Sequence, residues 1–330
     1  MFRQDRANPS TAVSNWNGRR DTAKGWPSTA VSSWLNGGLF SAGVAYAGFV
    51  AGGYNSGNKD FIDKFLFADD SRVTLAATLQ RAKAQGSGMG NAGVAGYAAW
   101  GGSNYIDKLD YATDTTAEFD SGINGGQNQA ASNQGVAGYF AFANTIRKLD
   151  YSNDTVSTES GNILVGSRSG PGAALANSGT AYYLAGGNII GTGYATTISK
   201  YTFAGTHSTV TATLSSAREN LAGCADSGNF GYFGGGNLSG YSNQSTVDKL
   251  TFSGDSVSTL GTGLSATNNY NTAFGNSGSA GYFAGGYNGS SIIATVDKFA
   301  FSNDARSTLG TGLSTAVYGS CGFANQGTLA

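Results

Sequence analysis

Histidine is nearly missing from this sequence: His207 stands alone. A His/Cys metal cluster is therefore excluded, and no Ser-His-Asp or Cys-His site is persuasive. Glutamate occurs only at Glu118, Glu159 and Glu219. Nearly every aspartate belongs to a repeated strand or turn motif, so the paired carboxylates of a glycosidase have no evident source. The expectation is a protein that is not an enzyme, with no cofactor and no metal. Cys224 and Cys321 are the two cysteines. They occupy different positions in the repeat, which predicts two free, mostly buried thiols rather than a disulfide.

Charged residues are also scarce, at 12%, against roughly 25% in ordinary domains. Net charge is −1, so the protein as a whole is no polyanion binder. The balance is uneven: residues 1–27 carry five basic and two acidic side chains, a local +3, which leaves −4 for the rest. No stretch approaches the roughly 18 apolar residues of a membrane span. The first residues, MFRQDRANPS, lack an apolar secretory core. Synthesis in a cytosol without export by a signal peptide is the expectation.

What fills the chain is Gly (52 residues), Ser, Thr, Asn and Ala, with 17 Tyr and 18 Phe spread throughout. Turn formers and small residues suit strands, not helices. The many aromatics and low net charge argue against disorder.

The sequence repeats. A turn with Gly in third place recurs at Ser41-Ala42-Gly43, Asn91-Ala92-Gly93, Asn133-Gln134-Gly135, Asn177-Ser178-Gly179, Asp226-Ser227-Gly228, Asn276-Ser277-Gly278 and Asn325-Gln326-Gly327. This is hairpin chemistry: Gly accepts φ > 0, and Asn or Asp can bond its own backbone. An aromatic strand follows each of the first six, at Gly48-Phe49, Gly96-Tyr97, Gly138-Tyr139, Ala181-Tyr182, Gly231-Tyr232 and Gly281-Tyr282. Five of these strands reach a Gly-Gly pair, which predicts close approach of another backbone. Next comes a strand centred on Lys64, Lys108, Lys148, Lys200, Lys249 or Lys298, then a second tight turn such as Ser302-Asn303-Asp304. A further strand is predicted from segments such as STLGTGLS at 258–265 and 307–314. Four antiparallel strands in each of six units of 40–50 residues predict an all-β, six-bladed β-propeller.

With Gly285-Gly286 recurring in kind and Leu-x-x-Ala-Arg at Leu214 to Arg218, the pattern over residues 38–330 resembles kelch repeats. It departs from them where kelch Tyr and Trp give way to Phe301 and Leu309. Kelch-like copper oxidases need two histidine ligands, which His207 alone does not supply. The Gly/Ser/Asn-rich, weakly charged texture is also similar to propeller proteins of tailed bacteriophages, particularly those of cyanobacteria. That likeness implies a virion protein, made in the host cytoplasm and then exposed outside the cell.

Residues 1–37 precede the repeats. Pro27-Ser28-Thr29-Ala30-Val31 matches Ser314-Thr315-Ala316-Val317. One terminal strand pair is therefore redundant: either the two ends share the closing blade, or one copy docks elsewhere. Trp16, Trp26 and Trp34 lie here beside Arg3, Arg6, Arg19 and Arg20. Trp and Arg dominate interface hot spots, so this arm is a docking element for other virion proteins; a loose tail plus seam strand is the plainer reading.

The Asp-Lys pairs read best as blade-to-blade ion pairs, and the Asn-Asp turns as hairpins rather than Ca²⁺ sites. Both tight turns fall on one rim. The opposite rim varies from blade to blade and carries Tyr54, Asn55, Asn188, Tyr194, Asn237, Tyr241, Tyr287 and Asn288. Tyr with Asn, Ser and Gly is adaptable recognition chemistry; ordinary polar loops are the alternative. The leading expectation is a non-enzymatic structural or adhesion component of a phage particle, oligomeric in its assembly. It would contact a host-surface glycan or protein, with no nucleic acid and no membrane insertion. The alternative is an extracellular glycan-binding or carbohydrate-active propeller.

Overall fold

The chain divides into two units, residues Met1–Val44 and Ala45–Ala330. The computed structural model describes residues 46–100, 103–122, 129–142, 145–159 and 168–326, all in the second unit. The arm residues Arg3, Arg6, Trp16, Arg19, Arg20, Trp26 and Trp34, and the turn at 41–43, lie outside the described residues.

The described residues form six four-stranded antiparallel blades. Blade 6 shows the plan: inner strand Thr272–Asn276, second strand Ala280–Ala284, third strand Val296–Ala300, outer strand Arg306–Thr308. The inner strands of blades 2 to 5 are Gly86–Asn91, Gln129–Asn133, Ala173–Asn177 and Glu219–Asp226. Blade 1 takes its inner strand from the far end of the chain. Cys321–Asn325 pairs antiparallel with Ala47–Ala51, followed by Ile62–Leu66 and Arg72–Thr74. The six inner strands pack side by side in a closed circle. The C-terminal repeat copy thus fills the closing blade.

The outer strands are shorter than the sequence predicts. In blades 5 and 6 they end at Thr259 and Thr308. Beyond them the chain is captured by the next blade: Ser265 donates its backbone N–H and its hydroxyl to Asp297 at 2.8 and 2.9 Å. Asp63, Asp107 and Asp248 accept the backbone N–H groups of Ser314, Gln80 and Ser215. Of these buried carboxylates, Asp63, Asp248 and Asp297 also accept threonine hydroxyls from their own outer strands, as Thr308 to Asp297 at 2.6 Å, while Asp107 accepts Trp100 Nε1. The Asp of each Asp-Lys pair is therefore an anchor for the incoming connection.

The Lys of the pair turns outward to the following blade. Lys64, Lys108, Lys200, Lys249 and Lys298 pair with Asp114, Asp154, Asp255, Asp304 and Asp70 at 2.6 to 2.8 Å. Tyr97, Tyr183, Tyr232 and Tyr282 donate their hydroxyls to the same turn carboxylates. Blade-to-blade ion pairs are what the sequence predicts, although the partner is the turn Asp rather than the strand Asp.

Blade faces are matched by size. In five interfaces the second strand has a Gly where the neighbouring inner strand offers a bulky group. A Cβ on Gly48 would meet Phe274 at 2.0 Å, and one on Gly96 would meet Phe323 at 2.1 Å. Gly138, Gly231 and Gly281 face Met89, Leu175 and Cys224 likewise. Blade 4 inverts the arrangement: Tyr182 occupies the Gly position and packs in one cluster with the small Ala131 of blade 3. The residue equivalent to Tyr97 and Tyr232 is thus Tyr183, paired with Lys200 across the strands, and not Tyr182. Cys224 and Cys321 are buried and free.

The Asn-x-Gly turns hold one another rather than only themselves. Asn133 Oδ1 accepts the Gly179 N–H, and Asn177 Oδ1 that of Gly228, each at 2.9 Å and each from the next blade. In the opposite sense, the Gln134, Ser178 and Ser227 N–H groups donate to Ser178, Ser227 and Ser277 hydroxyls.

Candidate recognition rim

Strand alternation places the second-to-third loops and the blade-to-blade connections together on the rim opposite the tight turns. The Gly-Gly pairs start the long loops of blades 1, 4, 5 and 6. Gly52, Gly53, Gly285 and Gly286 all have φ between 62° and 108°. Their purpose is the close approach the sequence implies. The second Gly of each pair donates to a connection carbonyl: Gly53 to Lys83, Gly187 to Arg218, Gly236 to Asn268 and Gly286 to Val317, at 2.7 to 2.8 Å.

On this frame the rim residues of blades 4, 5, 6 and 1 join in an arc. Tyr194 of blade 4 donates its hydroxyl to Glu219 at 2.7 Å. Burial and then this carboxylate push the Tyr194 phenol up to about 12. Asn237 is wholly buried, at 0% exposure. Its Oδ1 accepts from Asn220 and Asn269 at 2.9 and 3.2 Å, making it the hub of the arc. Asn269 exchanges backbone hydrogen bonds with Tyr287, whose carbonyl also accepts Asn243 Nδ2. Tyr54 exchanges backbone bonds with Tyr318, and the rings of Tyr54, Tyr318 and Tyr270 follow one another at 5.4 and 5.6 Å.

The eight residues singled out from sequence fall into three groups. Tyr241 is 80% exposed, Tyr54 39% and Tyr287 37%. Asn55 and Asn288 tie loops down: Asn55 Nδ2 donates to the Ala316 carbonyl, and Asn288 Oδ1 accepts from Ser290 and Ser291 N–H groups. Asn188, Tyr194 and Asn237 are the third group, half-buried or buried within the loop bases. The sequence reading missed Glu219, Asn220, Asn269, Tyr270 and Tyr318, which connect the arc. Their signal was positional, because polar residues recur just before each inner strand.

A second belt runs along the axis side of this rim from blade 2 through blades 1, 6 and 5 to blade 4. The N–H of Gln85 donates to Gly319 O, Gly319 to Tyr270, Tyr270 to Asn220 and Asn220 to Pro171, at 2.7 to 2.9 Å. Chemically, the rim offers amides, hydroxyls and aromatic faces. The buried carboxylate Glu219 is engaged by Tyr194 and Asn220, and the blade 1 loop adds Lys59 and the exposed Asp60. Such a surface suits neutral polar partners through hydrogen bonding and ring contact.

Compared with known proteins, the chain matches no family model and no curated protein.

Proposed function

We propose that the chain is a non-enzymatic structural or adhesion component of a bacteriophage particle, tethered by residues 1–37, with the loop rim of blades 4, 5, 6 and 1 as its contact face. Kelch kinship and a phage origin belong to this reading and rest on the repeat pattern and the composition. The observation that carries it is how the charged groups are used. Five Lys–Asp pairs join blades, and the buried strand aspartates anchor connections. The rim is left with an arc dominated by Tyr and Asn, in which the carboxylate Glu219 is engaged by Tyr194 and Asn220.

The test uses purified particles from the phage that carries the gene. The full chain is expected in them by mass spectrometry, and a chain lacking residues 1–27 is expected to fold yet be absent. Incorporation of the truncated chain at the normal level would refute arm docking; absence of the full chain would refute the virion reading.

A glycan-binding propeller is the second reading, favoured by the exposed ring of Tyr241. A glycan array with the Tyr241→Ala and Tyr287→Ala variants separates the two, and a blank array for the parent chain removes the second.

A further inference from the structure

Five of the six seams between blades are closed by one device. A third-strand lysine, and the second-strand aromatic directly opposite it, meet an aspartate from the turn of the following blade. Tyr97 gives its hydroxyl to Asp154 Oδ1 at 2.8 Å, and Lys108 gives its ammonium to Oδ2 at 2.6 Å. Tyr183 with Lys200 holds Asp255, Tyr232 with Lys249 holds Asp304, and Tyr282 with Lys298 holds Asp70. In blade 1, Lys64 holds Asp114 beside the Phe49 ring.

The seam of blades 3 and 4 has only the receiving half. Tyr139 and Lys148 face each other in the register of Tyr97 and Lys108. The Tyr139 ring packs against Tyr182 and Phe203 of blade 4, with centroids 5.1 and 5.2 Å away, which fixes its direction. Its phenol is half-buried, as is Lys148. The facing turn of blade 4 is short: residues 202–206 link Tyr201 to His207, one fewer than the 251–256 that link Leu250 to Val257 in blade 5. The residue it lacks is the aspartate. Thr202 and Thr206 bond each other across this turn, and a Cβ on Gly205 would meet nothing within 4 Å.

Carboxylates of blade 3 itself do not take the place. Asp150 accepts the N–H and hydroxyl of Ser152. Asp110 stands at the same position in blade 2, and Lys108 takes Asp154 all the same. Glu159 lies close enough to add to burial in raising the Tyr139 phenol. Among the described residues, neither it nor Asp150 forms an ion pair with Lys148.

We propose that Tyr139 and Lys148 form a recognition site for the carboxylate of an aspartate or glutamate side chain on a partner protein, one oxygen taking the phenol hydroxyl and the other the ammonium. The intact seams supply both the geometry and the ligand class, since each holds a protein carboxylate by charge-assisted hydrogen bonds. One ammonium and one hydroxyl near the surface hold a free acid weakly. The pair is therefore a polar anchor within a wider contact, not a small-molecule pocket. It does not depend on the chain belonging to a particle.

The experiment uses the full chain, 13C-labelled at lysine, with Lys148 assigned from the signal lost in Lys148→Gln. NMR follows titration with sodium acetate, acetyl-Gly-Asp-Gly-amide and acetyl-Gly-Asn-Gly-amide at constant ionic strength. The Lys148 signal is expected to move and saturate with acetate and the Asp peptide, and to stay with the Asn peptide. Lysines of the five intact seams should stay throughout. Tyr139→Phe, the arrangement blade 1 already has, should weaken Asp-peptide binding by about threefold to tenfold. Inserting Asp between Gly205 and Thr206 should abolish the shift by occupying the pair. A Lys148 signal that moves no more with the Asp than with the Asn peptide overturns the site, as does an equal response in folded variants. Should the insertion fail to fold, Tyr139→Phe decides alone. A response that appears only after Glu159→Gln would show that Glu159 fills the pair, and overturns the site too. Binding of acetate without the Asp peptide would assign a small acid and overturn the protein partner.

Discussion

At the residue scale, the turn aspartates show how one position serves two needs. Asp70, Asp114, Asp154, Asp255 and Asp304 have φ between 47° and 58°. Asp tolerates this region better than most residues. The same carboxylates collect a lysine and, in four cases, a tyrosine hydroxyl from the preceding blade. Burial first, and the neighbouring carboxylate second, hold the Tyr97, Tyr183, Tyr232 and Tyr282 phenols well above the usual tyrosine range. A folded pKa raised above the unfolded value of about 10 means that the native state keeps protons the unfolded chain releases. The stabilisation is complete below about pH 10 and is lost as pH rises beyond it. Urea melts should therefore be insensitive to pH on the neutral side and lose stability steeply above about pH 10. Replacing the four tyrosines by phenylalanine, which blade 1 already has as Phe49, should reduce that alkaline slope, the remainder coming from Tyr111, Tyr139, Tyr151, Tyr194 and Tyr318, whose phenols burial also raises; an unchanged slope would refute the assignment.

At the element scale, the interface of blades 3 and 4 is the exception that explains the others. The turn of blade 4 is closed by Thr202 and Thr206, one residue shorter than the turn of blade 5, and the missing residue is the aspartate. Lys148 and Tyr139, cross-strand partners in blade 3, accordingly have no turn carboxylate to meet. Inserting Asp between Gly205 and Thr206 should supply it and stabilise the fold by about 1 kcal/mol, read from the urea midpoint. The packing exception makes a second prediction. Gly48→Ala alone drives a methyl into the Phe274 ring and should cost about 1–3 kcal/mol. Combined with Phe274→Ala, which opens the space Ala131 leaves for Tyr182, the Gly48→Ala cost should largely vanish in a double-mutant cycle. Additive losses would show that the two positions do not share one space. Much of this element was legible in the chain order: Gly-Gly, Asp-Lys and the turns are local signals. The partners of Asn133, Asn177 and Asn325 in their Asn-x-Gly turns were not. Each is the Gly N–H of a neighbouring blade, more than 40 residues away.

At the scale of the molecule, closure depends on the last strand. Cys321–Asn325 supplies five paired positions to Ala47–Ala51 and touches the inner strands of blades 2 and 6. A chain ending at Gly319 should expose Ala47–Ala51 as an apolar, unpaired edge and self-associate. Size-exclusion chromatography is expected to show aggregates in place of the parent species. A truncated chain that elutes and melts like the parent would mean that the earlier copy around Pro27-Ser28-Thr29-Ala30-Val31 takes the vacated place.

The sequence alone determined the all-β class, the number of repeats, the four strands in each and the rim on which variable loops fall. These follow from alternation, turn chemistry and spacing, which act between residues close along the chain. Only the tertiary structure decided which terminus closes the ring, that the strand aspartates anchor the incoming connections, and that Asn237 is a buried hub rather than an exposed contact. It also brought Gln129, Asn220, Asn271 and Ser320 together around the axis. Those residues lie on, or directly before, the inner strands of four different blades, and no local pattern encodes a meeting that depends on the closed circle of inner strands.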